Sequence, residues 1–333
     1  MHAAAQNLRG GVSPRFTRLR GQSIIEYVLI IAVIGLVIVF AGPGVAGAIR
    51  NQFSQVTNTV DSGTEGDNFI SAEEKAYREA MKTVASKEAK DWTLDEQKAA
   101  ATDIAKNGTS SVVYAKAKAA MDAGTKFTVK LTNGKTMEYR IIGINHDDLA
   151  DGSGKAGLTF WVTNNAVGLA RMNSSNTNSG GWEKSELRAK MNSGEIWNLI
   201  PSDFQSKVKT VVKLSNNVKG AIVDAAVTPT DDRLFLLSFS EIVEQPYAWV
   251  SKYGWLGNEG TQYEAFMGLV TDGTTSSSCL KSPEGFQEYM TQRWQRTAHP
   301  FNSNMFMGID SSGEPRSSLN PVSSSYVCPA FCF

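Results

Sequence analysis

The 333-residue sequence predicts an α+β protein with a long N-terminal hydrophobic helix (22–60), a helical spacer (61–124) and a mixed domain with long loops (125–333). Three observations predict it. Residues 27–49, YVLIIAVIGLVIVFAGPGVAGAI, form a run of 23 without one charge. Ala, Lys and Glu with helix-start signals fill the next stretch. From Thr125 onward Gly, Ser and Asn accumulate, with six of the seven tryptophans.

Charge sets apart the first 21 residues. Lys+Arg and Asp+Glu both number 33, yet this leader holds Arg9, Arg15, Arg18 and Arg20 and no acid. The remainder carries 29 basic against 33 acidic residues, a net of −4, which offers no general nucleic-acid footprint. Three cysteines and three histidines lack the spacing of a zinc site. No cofactor or metal is expected.

At 1.5 Å rise per residue the apolar run can cross a hydrocarbon core of roughly 30 Å. Four preceding arginines keep the leader cytoplasmic. Two plain readings of this segment are a secretory signal cut near Ala46, Gly47 and Ala48, and an uncleaved anchor. A third reading accounts for more residues. RLRGQSIIEYVLIIAVIGLVIVF resembles the type IV prepilin signal in its Flp (Tad) form: a basic leader ending in Gly, then Glu-Tyr at the fifth and sixth mature positions. The resemblance implies cleavage between Gly21 and Gln22 by prepilin peptidase. It also implies a filament role for Glu26 and Tyr27, with other pilin subunits as partners and the membrane as host before assembly. A buried, unpaired Glu26 is costly, so an ammonium on Gln22 of a neighbouring subunit would offset it and set the axial register.

Residues 61–68, DSGTEGDN, read as a turn-rich linker. Ser71-Ala72-Glu73-Glu74 fits a capping box, with Ile70, Tyr77, Met81 and Val84 at helical spacing. Thr93-Leu94-Asp95-Glu96 opens a second helix, and a third, around 110–122, stops at Gly124. These helices predict a stalk or small bundle. Residues 63–74 have the spacing of a degenerate calcium loop, and a weaker one starts at Asp103. Gly63, Asn68 and Tyr114 depart from the pattern, and a capped acidic linker explains the first loop.

KFTVKLTNGKTMEYRIIGI predicts a hairpin around Asn133-Gly134, and LTFWVT (158–163) a strand. WEKSELRAKMNSGEIWNLI and PSDFQSKVKTVV predict helices. RLFLLSFSEIV (233–243) predicts a strand running into a short helix, and 245–333 reads as loop-rich. The order of pieces resembles a domain of unknown function found on bacterial surface proteins, related in fold to C-type lectins and the formylglycine-generating family. The residues that carry it are Trp182, Ser185, Leu187 and Arg188, Met191-Asn192, Asp232 with Leu234 to Ser238 and Glu241, Trp294, Arg296 and Thr297, and Val327 to Phe331. That resemblance implies a C-type-lectin-like mixed core with long ligand-binding loops.

Candidate ligand-binding residues are Tyr253, Trp255, Asn258, Glu259 and Tyr263, where aromatics lie among polar groups; the same aromatics also suit a core. A formylglycine-generating activity would need a thiol pair, for which Cys328 and Cys332 are the only close candidates. The plainer expectations are a disulfide among Cys279, Cys328 and Cys332, with one thiol left over, or buried thiols. No catalytic set emerges around His146 or His299. The whole predicts a pilin or minor pilin that displays a binding domain to an external surface ligand. A membrane-anchored binding protein and an extracellular enzyme are the alternatives.

Overall fold

The computed structural model describes residues 72–217, 226–247, 254–282 and 292–333. The chain enters through three helices, α1 (Ala72–Ser86), α2 (Leu94–Asn107) and α3 (Tyr114–Asp122). Helix α2 starts where its sequence says it should. Thr93 accepts a hydrogen bond from the Glu96 N–H (3.3 Å), and the Glu96 carboxylate accepts from the Thr93 N–H (2.8 Å), which satisfies two orphan donors reciprocally. Helix α3 ends at Gly124, whose φ of +62° is the left-handed conformation a helix stop needs.

A four-stranded antiparallel sheet follows, in the order β1 (Lys126–Lys130), β2 (Thr136–Ile144), β3 (Leu158–Val162) and β11 (Ala330–Cys332). The β1–β2 hairpin turns through Asn133-Gly134 as expected, but as a five-residue connection. The Gly134 N–H donates to the Leu131 carbonyl (2.9 Å), and Gly134 alone takes a positive φ (+82°). Tyr139, Phe160, Phe204 and Phe331 meet on this sheet with ring centroids 5.0–5.7 Å apart; Phe160 and Phe331 stack and the other contacts are edge-to-face, the two arrangements aromatic quadrupoles favour.

Helix α3 packs on β2 and helix α2 on β3. The α2 approach is so close that a Cβ on Gly157 would lie 1.8 Å from the Ala101 carbonyl oxygen. Gln97 of α2 is buried and accepts from the Tyr139 hydroxyl (3.0 Å). Buried side chains from Met81 to Phe333 thus form a continuous core.

The second half adds β4 (Leu169–Ala170), α4 (Glu186–Asn192), α5 (Ser202–Gln205), β5 (Val211–Asn216), β6 (Val227–Asp232) and α6 (Phe239–Ile242). Strands β7 (Arg293–Ala298), β8 (Phe306–Ile309), β9 (Ser317–Leu319) and β10 (Ser325–Tyr326) complete it. A five-stranded sheet has the order β4-β10-β7-β8-β9, with only the β10–β7 pair parallel, and β5–β6 form a separate ribbon.

The predicted series of pilin-like helix, spacer and lectin-like domain gives way to a mixed α/β architecture. Among the described residues no helix is long and apolar enough to cross a membrane, and the hydrophobic segment 22–60 lies outside them. The helices at 72–122 are no free-standing spacer, because α1 packs on α2 while α2 and α3 pack on the first sheet. Of the helix predicted over 201–212 only Ser202–Gln205 is α-helical, and Val211–Asn216 is strand. Residues 233–237 make no ladder beyond a single bridge between Phe235 and Ala330. The region read as loops contains five strands, β7 to β11, and part of both larger sheets.

Candidate functional site

A cleft of about 440 Å³ opens between the loop after β2, strand β5 and the segment 259–261. Each wall is fixed by a local feature. Strand β2 bulges between Ile141 and Gly143, and Gly143 leaves room for the Tyr263 ring, which a Cβ there would meet at 2.7 Å. Asn145, at φ +51°, turns the chain, and its Nδ2 donates to the Ile104 carbonyl at the end of α2 (3.1 Å). The turn points the Asp147 side chain inward and leaves Asp148 at the surface.

Below the cleft lies a chain of buried charges. Lys213 Nζ donates to Asp147 Oδ1 (2.6 Å) and pairs with Glu241, which in turn receives both ends of the Arg296 guanidinium. Arg296 also donates to the carbonyls of Leu236 (2.8 Å) and Glu259 (2.7 Å). Asp147 further accepts from Thr159 Oγ1 (2.5 Å) and from the Tyr263 hydroxyl (2.9 Å). Lys213 Nζ sits 4.3 Å from the centre of the Phe235 ring. Glu241 owes its position to α6, where Ser238 and Glu241 form a capping box.

These contacts decide the ionisation. Burial disfavours charge on Asp147 and Glu241, but Lys213 and Arg296 outweigh it and hold both carboxyls below the usual range. Lys213 and Arg296 are raised in turn by the same partners against the desolvation cost. Glu259 behaves differently. Burial pushes its carboxyl up to about 7, although the Asn216 N–H (2.7 Å) and Thr297 Oγ1 (2.5 Å) donate to it. The Arg296 guanidinium reaches its backbone carbonyl, not its carboxylate. At the mouth, Lys155 bonds the His146 carbonyl and Asp148 (both 2.9 Å), and the His146 ring lies 4.0 Å from that of Tyr263.

The residues predicted to bind ligand are divided by the fold. Tyr253 lies outside the described residues, Asn258 is exposed, and Trp255 is half-buried with its indole N–H unpartnered. Glu259 and Tyr263 are both 0 % exposed, so neither offers a stacking surface; they shape the cleft from below. Gly21, Gln22, Glu26 and Tyr27 lie outside the described residues, as does most of the acidic loop at 63–74. Glu74 at its end pairs with Arg78 (3.0 Å) and Lys106 (3.6 Å), and Asp103 to Asn107 are helical. Among the described residues no group of three or more His, Cys, Asp or Glu could hold a metal ion.

The expected disulfide does not form: all three cysteines are free. Cys328 and Cys332 are four residues apart along an extended segment, roughly 13 Å, where a disulfide needs Cα atoms within about 7 Å. Cys332 contacts Thr159 Oγ1 (3.3 Å), and Cys328 faces the Asn164 carbonyl (3.8 Å). Burial pushes the Cys328 thiol up to about 11 and that of Cys332 well above its ordinary value.

Asp147 and Lys213 escaped sequence reasoning. The usable signal was Val211-x-Lys213-x-Ser215, three alternate positions that all face inward in β5. Arg296, Thr297 and Glu241 stood out only through the resemblance, and the fold gives each a buried partner.

Fold and site together define a mixed α/β domain whose cleft rests on a closed network of paired charges. The chain belongs to the DUF6273 family, a domain of unknown function, whose family model matches residues 156–333, more than half of the sequence. A search of curated proteins and a search of solved structures each find no match to the chain.

Proposed function

We propose that this chain is a subunit of a Flp/Tad-type surface filament, made as a prepilin and cut between Gly21 and Gln22, with residues 72–333 forming a domain that binds an external ligand. The segment RLRGQSIIEYVLIIAVIGLVIVF carries the reading, through its basic leader, Gly21, and the Glu26-Tyr27 pair ahead of an apolar run. The cleft supports binding in preference to turnover. Its floor spends its charges on one another, its nearest thiol is buried, and its mouth offers hydrogen-bonding groups from His146, Lys155 and Thr261.

The test is the intact mass and N-terminal sequence of the protein sheared from cells. A mature chain beginning at Gln22 is expected, and Glu26→Ala should block incorporation into filaments while leaving the domain folded. A chain that still begins at Met1, or one cut near Ala48, would replace the filament subunit with a membrane-anchored or secreted binding protein.

A further inference from the structure

A second pocket, of about 320 Å³, lies on the first sheet, away from the charge network. Arg140 of β2, Trp161 of β3 and Thr163 just beyond it meet Arg293 of β7 here, with Lys126 and Lys281 also lining the space. Among the described residues no carboxylate lines it. Arg293 is 2 % exposed, yet its Nε and Nη2 have no hydrogen-bond partner, and neither do Arg140 Nε and Thr163 Oγ1. Three residues that line one cavity thus carry four buried polar atoms that can donate, and among the described residues none of the four has an acceptor.

The neighbouring groups do not fill that role. Arg140 Nη2 donates to the Cys279 carbonyl (3.2 Å), which offers a dipole but no charge. Asp310 acts on Arg293 only through space, because its Oδ1 accepts from Ser312 Oγ (2.7 Å) and the Glu314 N–H (2.8 Å). Glu138 is paired with Lys126 (2.9 Å). Cys328, also near Arg293, is held as a neutral thiol by its burial. The two guanidinium centres lie 6.0 Å (Arg140) and 5.1 Å (Arg293) from the Trp161 ring, which orients them without neutralising them.

We infer that this pocket is a binding site for a small oxyanion, a carboxylate, sulfate or phosphate group, held between Arg140 and Arg293 with Thr163 as a third donor. A guanidinium keeps its proton in proteins, so the pocket stays cationic across the physiological range. Its forked donors match the planar or tetrahedral oxygens of such a group, and Trp161 adds an apolar wall for the body that carries it. An unpaired buried cation is costly to keep, and an incoming anion removes that cost. The site does not depend on filament assembly.

The test is equilibrium dialysis of the full-length chain in detergent against three probes: inorganic phosphate, sulfate and D-glucuronate. At least one should bind saturably at one site per chain, more weakly as salt rises. Arg293→Gln and Arg140→Gln should each weaken it by about tenfold or more, as expected for the loss of a charge-assisted hydrogen bond. Circular dichroism checks that each variant folds; should Arg293→Gln fail, the less buried Arg140→Gln decides. The probe that binds best separates a carboxylate ligand from a phosphate or sulfate one. Failure of all three probes to bind at millimolar concentration would overturn the site, and so would binding unchanged in a folded variant.

Discussion

Two regions of this molecule bury pairs of cations, and they treat them in opposite ways. Under the larger cleft, Lys213 has Asp147 and Glu241, and Arg296 has Glu241 and three backbone carbonyls. On the first sheet, Arg140 and Arg293 share an aromatic wall and have no carboxylate on the pocket lining. Where charges are buried in matched sets, removing one leaves its partner uncompensated, so the set acts as a structural unit. Where the cations are buried without anions, the fold bears a cost that a ligand can relieve. Paired charge marks architecture and unpaired charge marks a binding site.

Glu241→Ala breaks the matched set most severely, because Lys213 and Arg296 would lose a shared carboxylate at 2 % side-chain exposure. A loss of about 3–5 kcal/mol is expected in urea unfolding. A change under about 1 kcal/mol would mean that water or rearrangement satisfies the cations, and the contrast between the regions would fail.

Glu259 sharpens the contrast through pH. Its folded pKa of about 7 lies above the ordinary 4.5, so its contribution is fully present below about pH 4.5 and is lost as pH rises through 7. The shift corresponds to roughly 3 kcal/mol. Asp147 and Glu241, shifted downward, have the opposite sign and lose their contribution only in acid. Glu259→Gln should therefore flatten the fall in stability between pH 5 and pH 8. Equal pH slopes for variant and parent would show that Glu259 is ionised in the fold throughout.

The smallest expected effect lies at the edge of the paired region. Trp182 Nε1 donates to Asp232 Oδ2 (2.8 Å), but Arg188 (2.6 Å) and Thr230 (2.9 Å) donate to the same carboxylate. Trp182→Phe should cost about 1–2 kcal/mol in thermal unfolding, since Asp232 keeps two donors. A loss comparable to that of Glu241→Ala would show that redundancy does not protect this network.

Local chemistry was readable wherever a signal and its partner lie within a few residues. The Thr93–Glu96 box, the Gly124 stop and the Asn133-Gly134 hairpin all form. Strand β7 was hidden because RWQRTA is buried at every position, so its polar residues point into networks and no alternation shows. Residues 207–212 misled for a related reason: Lys213 occupies an inward position that hydrophobic periodicity cannot recognise. The motif residues from Trp182 to Asn192 were legible as a group, yet their roles were not. Ser185 caps α4, Leu187 and Met191 fill the core, and Asn192 ties the helix to the Leu234 carbonyl (2.9 Å).

The sequence by itself determined the capping box that opens α2, the stop of α3 at Gly124 and the first hairpin. Each depends on contacts within about a dozen residues, which periodicity and turn chemistry record directly. Tertiary structure decided that the helices share a core with the first sheet, that Cys328 and Cys332 stay apart, and which cations are neutralised. Lys213 meets Asp147 across 66 residues, and Arg296 meets Glu241 across 55. Arg140 and Arg293 lie 153 residues apart in sequence, yet both line one pocket and pack against Trp161. Whether a buried charge finds a partner depends on where distant strands bring it, and no local pattern in the chain carries that information.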